Sequence, residues 1–282
     1  MAWTDYLQAK TYSSQGCKMT SYTELLAGLT RNSDHTIDAH IPESWMQGRT
    51  TYGGLTAALS FQGALDLVGD IPIRSAQVAF VGPVGGDVTI RPTLLRRGKN
   101  TAFVSVDITS ETGVAAQSIF AFGLARESSL HFDDMPMPAA RTPEEIDSFF
   151  ASGMPRPGFT QNFDMLLATG GRPISGSDET SIGLWMRHLD PDTPQDATAI
   201  LAIGDAPPPA AMSMLKAPSR ISSMTWMAEF MTDNIQTDPD GWYFAQHTAQ
   251  LAKSGYSSQS MRLWNRHGEP ILVGRQTIAV FG

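Results

Sequence analysis

Gly241-Trp-Tyr-Phe-Ala-Gln-His-Thr-Ala-Gln250, a turn at Lys253-Ser254-Gly255, Tyr256-Ser-Ser-Gln-Ser-Met-Arg-Leu-Trp264, a turn at Asn265-Arg266-His267-Gly268, then Pro270-Ile-Leu-Val-Gly-Arg-Gln-Thr-Ile-Ala-Val-Phe281: this stretch decides the fold. Three segments rich in β-branched and aromatic residues, separated by two glycine turns, predict an antiparallel meander. A fainter copy runs from Asp87 to Gly123, with turns at Arg97-Gly98-Lys99-Asn100 and Glu111-Thr112-Gly113. One unit is written twice.

Working outward, each meander is preceded by a strand and a helical stretch. Thr50 to Val68 carries small and apolar residues at helical spacing behind a Gly53-Gly54 entry, and Ile73 to Val84 reads as a strand. In the second half, Ser181 to Leu189 is a strand, and Asp196 or Thr198 starts a helix. That helix is interrupted at Gly204-Asp205 and by Pro207, Pro208 and Pro209, which predicts a break. The order strand, helix, four strands thus occurs twice, which is α+β with a long helix on each of two antiparallel sheets. The expected division is a loose arm over 1–18, a first unit over 19–127, a linker over 128–158 and a second unit over 159–282. Pro and acidic residues, as in Asp133-Asp-Met-Pro-Met-Pro138 and Thr142-Pro-Glu-Glu145, suggest that the linker is exposed.

The 282 residues, 41% hydrophobic and 17% charged, suffice for a sizeable core. A net charge of −8 without a basic stripe argues against nucleic acid as partner. One cysteine, Cys17, excludes internal disulfides and thiolate zinc clusters and suits a reducing compartment. No apolar run reaches membrane-spanning length and the first residues lack signal-peptide order, so a cytoplasmic location is expected. The methionine groups Met212/Met214 and Met224/Met227/Met231 either fill core or line an adaptable apolar channel. Nucleophile elbow, dinucleotide fingerprint and complete P-loop are absent, and six scattered histidines suggest no metal. No cofactor is expected.

Asp205 stands out because it lies between two apolar runs, where a carboxylate needs partners or a raised pKa. It either serves chemistry or caps the next turn of chain. Gly53-Gly54 either offers free N–H groups at a helix start or merely permits tight packing.

Two tandem strand–helix–meander units joined by a long linker resemble the double-hotdog acyl-CoA thioesterases of the TesB-like or thioesterase II type. Ala202-Ile-Gly-Asp-Ala-Pro-Pro-Pro209, Trp242 leading to Thr248 before Gly255, and Gln276 on the strand after Gly268 carry the resemblance. It implies hydrolysis of acyl-CoA thioesters by water held among Asp205, Thr248 and Gln276, with Gln246 and Gln250 as competitors for the Thr248 place. It also implies a homo-oligomer. Gly53 and Gly54 are candidate donors to the substrate oxyanion. Counting from the glycine turns, Ala121 stands where Gln276 would in the first unit, and the place of Asp205 falls near Gly53-Gly54, so one site per chain is expected. Arg96, Arg97, Lys99 and Arg220 either meet CoA phosphates or are solvated surface. A hotdog hydratase is disfavoured because no Asn-Pro-x-His stretch occurs. The competing class is an acyl-CoA or acyl-group binder of the same fold without turnover.

Overall fold

A computed structural model describes residues 19–150, 156–236 and 239–281, and the arm read over 1–18 lies outside them. Helix α1 (Tyr22–Ala27) opens the first half, with Ser21 and Glu24 forming a reciprocal capping box. Strands β1 (Thr30–Arg31) and β2 (Ile37–Ile41), the small ribbon β3 (Met46–Gln47) and β4 (Thr50–Thr51), and helix α2 (Gly53–Val68) follow. Strands β5 (Ile73–Phe80), β6 (Gly86–Arg97), β7 (Thr101–Ser110) and β8 (Gly113–Gly123) complete that half. The second half runs β9 (Phe163–Gly170), β10 (Ser181–His188), α3 (Ala197–Gly204), β11 (Ile221–Phe230), β12 (Tyr243–Lys253), β13 (Tyr256–Asn265) and β14 (Pro270–Val280).

All strands except the β3–β4 ribbon form one 12-stranded antiparallel sheet, ordered β1-β2-β6-β7-β8-β5-β11-β14-β13-β12-β10-β9. The order reads the same from both edges once β5 is matched to β11, β8 to β14, β7 to β13, β6 to β12 and β2 to β10. The seam is the β5·β11 ladder, Thr225↔Ala79 to Glu229↔Ser75. This is the tandem hotdog architecture, fused into a single sheet.

Register irregularities confirm the duplication residue by residue. The extra residue Leu95 between β6 and β7 matches Gln250 between β12 and β13. Ala115 on β8 matches Ile271 on β14, and Arg74 on β5 matches Met224 on β11. A bulge displaces side chains from one face to the other, so these matches fix the correspondence more firmly than the turns do. They make Phe120 the counterpart of Gln276 and Val104 the counterpart of Gln259. The turn count that points to Ala121 is corrected by one residue, because Gly113 already belongs to its strand whereas Gly268 lies in its turn.

Helix α2 is buried nearly all round, Leu55, Leu59, Phe61 and Ala64 among its buried side chains, and it packs on β5 to β8 and on α3. Leu55, Leu59 and Phe61 each contribute about 1.5–3 kcal/mol relative to exposure. Gly69, with φ 63°, ends the helix in a backbone region that suits glycine. The second helix is a single short segment rather than a long one. Asp196 caps α3 by accepting the Ala199 N–H at 2.9 Å, and the three prolines, which lack N–H donors, stop it at Gly204. A 3-10 turn over Ala210–Met214 replaces its remainder. The helices run antiparallel, Gln62 Nε2 donating to Thr198 Oγ1 at 2.9 Å at one end and Gly54 lying against the Ala202 carbonyl at the other. The start of α2 therefore meets the end of α3.

The linker is docked, not merely exposed. Leu130 and Phe132 face solvent, but Met135, Met137, Ala140 and Ile146 pack on Trp185, Trp242, Phe244 and Trp264. The two indole N–H groups of Trp264 and Trp185 donate to the carbonyls of Met135 (2.8 Å) and Arg141 (2.7 Å). Ser148 then bridges to Leu166, and Phe149 N–H donates to the Met165 carbonyl at 2.8 Å. A strap anchored this way delivers Phe149 and Phe150 to the end of α3. No helix among the described residues is long and apolar enough to cross a membrane.

Candidate active site

Asp205 is the residue at which α3 stops, with φ −109° and ψ 11°. It therefore closes the preceding helix and does not start the following turn. The antiparallel packing sets its carboxylate at the N-terminus of α2, where backbone N–H groups and the positive dipole end favour an anion. Gly53 makes this possible: a Cβ there would collide with Asp205 Oδ2 and stand 2.6 Å from the Phe80 ring. Gly54 donates its backbone N–H to the carboxylate. Burial nonetheless dominates, and pushes the Asp205 carboxyl up to about 7 against the pull of Gln276 and Gly54.

Gln276 comes from β14, buried on the face that meets α3. Its Nε2 donates to Asp205 Oδ1 at 2.7 Å and to Ser223 Oγ at 2.9 Å. Its Oε1 accepts from Gln259 Nε2 at 2.8 Å, and Gln259 Oε1 accepts the Ala210 N–H at 2.9 Å. Ser223 reaches this face because of the bulge at Met224. Ser223 pairs with Ile278 and Thr225 with Thr277, so the extra residue reverses the alternation and turns Ser223 to the side of buried Trp226.

Thr248 is not brought to this cluster. On β12 buried Tyr243, Ala245, His247 and Ala249 share one face, and the strand alternation points Thr248 to the opposite face with Phe244. Gln246 shares that outer face, and Gln250 is the exposed bulge residue. The hydroxyl that does reach Gln276 and the cavity wall is that of Ser223. Pattern alone hides it, since no local sign marks Met224 as an extra residue. Gln259 is masked for the same reason, as a polar residue in an otherwise ordinary strand.

A cavity of about 310 Å³ opens on the cluster. Gly53, Asp205, Ser223 and Gln276 line it, with Phe149 and Phe150 from the strap. Tyr52, stacked on Phe159 at 4.2 Å, adds aromatic wall. Of the methionine groups noted in the sequence, Met212 reaches this wall, whereas Met224 and Met231 are exposed. Arg49 is the cation among the described lining residues. Arg97 instead donates to the Leu67 and Val68 carbonyls at the end of α2, and Arg220 lies over the Phe281 ring.

The first half holds the same positions without the chemistry. Phe61 stands as far into α2 as Asp205 stands past the start of α3, and its ring lies 5.5 Å from that of Phe120. Two phenyl rings thus occupy the places of Asp205 and Gln276, and buried Ile73 occupies that of Ser223. The counterpart of Asp205 is Phe61, not the Gly53-Gly54 pair.

The chain matches two family models in tandem: the acyl-CoA thioesterase N-terminal domain over residues 41–123 and the acyl-CoA thioesterase C-terminal domain over residues 133–280. Among solved structures it is similar to a hot dog protein of unknown function from Alicyclobacillus acidocaldarius, at 20% identity and TM-score 0.80 over 94% of this chain and 99% of that one. A tesB protein of Mycobacterium avium subs paratuberculosis is similar at 15% identity and TM-score 0.76, over 93% and 100% of the respective chains. An acyl-CoA thioesterase II from Mycobacterium marinum follows at 16% identity and TM-score 0.72, over 92% and 98%. At these identities the likeness is one of fold. No curated protein sequence matches the chain significantly.

Proposed function

The chain belongs to the acyl-CoA thioesterase family, and on that premise we propose that it hydrolyses acyl-CoA thioesters with water activated by Asp205, Gln276 holding the carboxylate in place and Ser223 presenting its hydroxyl to the substrate. The observation that carries this reading is the convergence of those three side chains on the cavity wall beside the start of α2.

Asp205 is the base. Water gives its proton to the carboxylate as its oxygen bonds to the thioester carbon, and the resulting oxyanion forms at the positive end of α2 beside Gly53. The C–S bond then breaks, and the proton held by Asp205 passes to the departing CoA thiolate. The products are a carboxylic acid and CoA. A carboxyl titrating near 7 is suited to both transfers at neutral pH. The Gly54 N–H is committed to Asp205, which leaves the oxyanion to other donors: the Gly53 end of the helix and the Ser223 hydroxyl. Ser223 accepts from Gln276, so its own proton is available to the cavity.

The test is thiol release from a panel of acyl-CoAs, short, long and aromatic, by wild type and Asp205→Asn. Turnover that collapses in the variant is the expected result. Equal slow turnover in both would sink the assignment of Asp205. Binding of acyl-CoA by wild type with no turnover would replace hydrolysis by the acyl-binding reading.

A further inference from the structure

The amide of a glutamine can face a carboxylate with its NH₂ or with its carbonyl, and only the first suits Asp205. What selects it is found on the far side of Gln276. Ala210 opens the 3-10 turn after the three prolines, and its backbone N–H can only donate. It points at Gln259 from 2.9 Å, so the group it meets is Gln259 Oε1. Gln259 must then turn Nε2 toward Gln276, whose facing atom, 2.8 Å away, is Oε1. Gln276 is left with Nε2 for Asp205 and Ser223. His247 agrees with this order: its Nδ1 lies 3.5 Å from Gln259 Nε2, and its ring is hydrogen-bonded to the carbonyls of Gly204 and Pro208. Gln259 has no exposed surface at all, so no water competes for its amide.

We propose that Gln259 is a positioning residue for the hydrolytic site: it transmits the polarity of the Ala210 N–H to Gln276, and so fixes Gln276 as a donor to both Asp205 and Ser223. The proposal rests on the thioesterase reading for its kinetic consequences, but the relay itself is a property of the fold. The other titratable or charged groups facing this region are Tyr52 from the start of α2, His247 from β12 and Arg49 on the cavity wall. Burial holds Tyr52 well above and His247 at about 4, so both stay neutral around pH 7.

Two near-isosteric variants separate polarity from packing. In Gln259→Glu, one carboxylate oxygen keeps the Ala210 N–H and the other faces Gln276 as an acceptor. Gln276 must then turn its NH₂ away from Asp205 and present its carbonyl instead. The expected result is a midpoint of the kcat/KM–pH profile moved upward by about one unit or more. At pH 7 kcat should fall about tenfold or further, with KM held within about threefold. Gln259→Met fills the space with no polarity, and the midpoint should rise by less. Folded variants that both keep the wild-type midpoint would overturn the proposal.

If either variant fails to fold, the wild type still decides. The ¹⁵N side-chain amide signals of Gln276 and Gln259 should both titrate with the Asp205 carboxyl ¹³C midpoint. Amide signals that stay fixed while Asp205 titrates would sink the relay. Absence of acyl-CoA turnover in wild type would defeat the functional reading, and the titration would still test the role of Gln259 independently.

Discussion

Gly53 of the first half lies directly against Asp205 of the second, with no room for a β-carbon between the helix start and the carboxylate oxygen. The site is therefore composite. The acid comes from the end of α3, and the backbone that receives it comes from the start of α2. Gly53→Ala should force the carboxylate or the Phe80 ring aside, and a misplacement of about 1 Å costs on the order of 100-fold in turnover. Thiol release measures it. The fold should survive, because φ at Gly53 is not in the left-handed region.

The pH–rate profile should follow Asp205. Burial pushes its carboxyl to about 7, so kcat/KM should rise with pH through that value as the base form accumulates, then level off. His247 and His188 are both held near 4 by burial, so neither adds a limb in that range. A rising limb centred near the ordinary carboxylate value of about 4 would be incompatible with Asp205 as base.

Asp205 should also burden stability, and only above acid pH. Its folded pKa is raised, so the stability tied to its proton is fully present below about pH 4, where the unfolded chain is protonated too. That stability is lost as pH rises through about 7. Asp205→Asn should thus equal wild type near pH 4 and exceed it above pH 8 by on the order of 2–4 kcal/mol. Urea unfolding at the two pH values measures the difference. An inactive variant more stable at pH 8 is the expected pair of results.

The phenyl pair Phe61–Phe120 holds the matching positions in the first half, and its role should be packing alone. Phe120 is fully buried. Phe120→Ala should cost about 3–5 kcal/mol in unfolding experiments and leave the pH midpoint of turnover where it was. A shifted midpoint would mean that the first half communicates with the acid in a way its apolar contacts do not provide.

What is legible in the sequence follows a physical division. Alternating strands, glycine turns and the proline-stopped helix are local patterns, so the doubled unit can be read directly from Asp87–Gly123 and Gly241–Phe281. Asp205 is conspicuous because a carboxylate between apolar runs is costly, whereas Gln276 on the last strand is reached only through the family resemblance. Bulges are not local in that sense. An extra residue such as Met224 is defined by what the neighbouring strand does, and it alone decides that Ser223 faces inward. A count from the glycine turns puts the counterpart of Gln276 at Ala121, one residue past Phe120, because Gly113 sits inside its strand and Gly268 in its turn. The docked strap is hidden because composition reports polarity, whereas docking depends on the few positions, Met135, Met137 and Ile146, that meet the tryptophan face.

Ser223 and Thr248 give the sharpest contrast between strand pattern and observed register. Ser223 Oγ accepts from Gln276 Nε2 at 2.9 Å and lines the cavity, while Thr248 lies on the other face of β12, across from Ser181 and Ser260. Ser223→Ala removes a hydroxyl donor from the place where charge develops and leaves one Gln276 N–H without its partner. Loss of a single such donor costs on the order of 100- to 1,000-fold in kcat. Restoring the hydroxyl with Ser223→Thr should recover most of it, provided the added methyl is accepted at this half-buried position. Thr248→Val keeps shape and β-propensity on an outward face and should leave kcat/KM within about twofold. Rates for the three variants on one acyl-CoA decide the matter. If Thr248→Val lost activity and Ser223→Ala kept it, the hydroxyl would have to act from the far side of the sheet, and the bulge at Met224 would have no part in the chemistry.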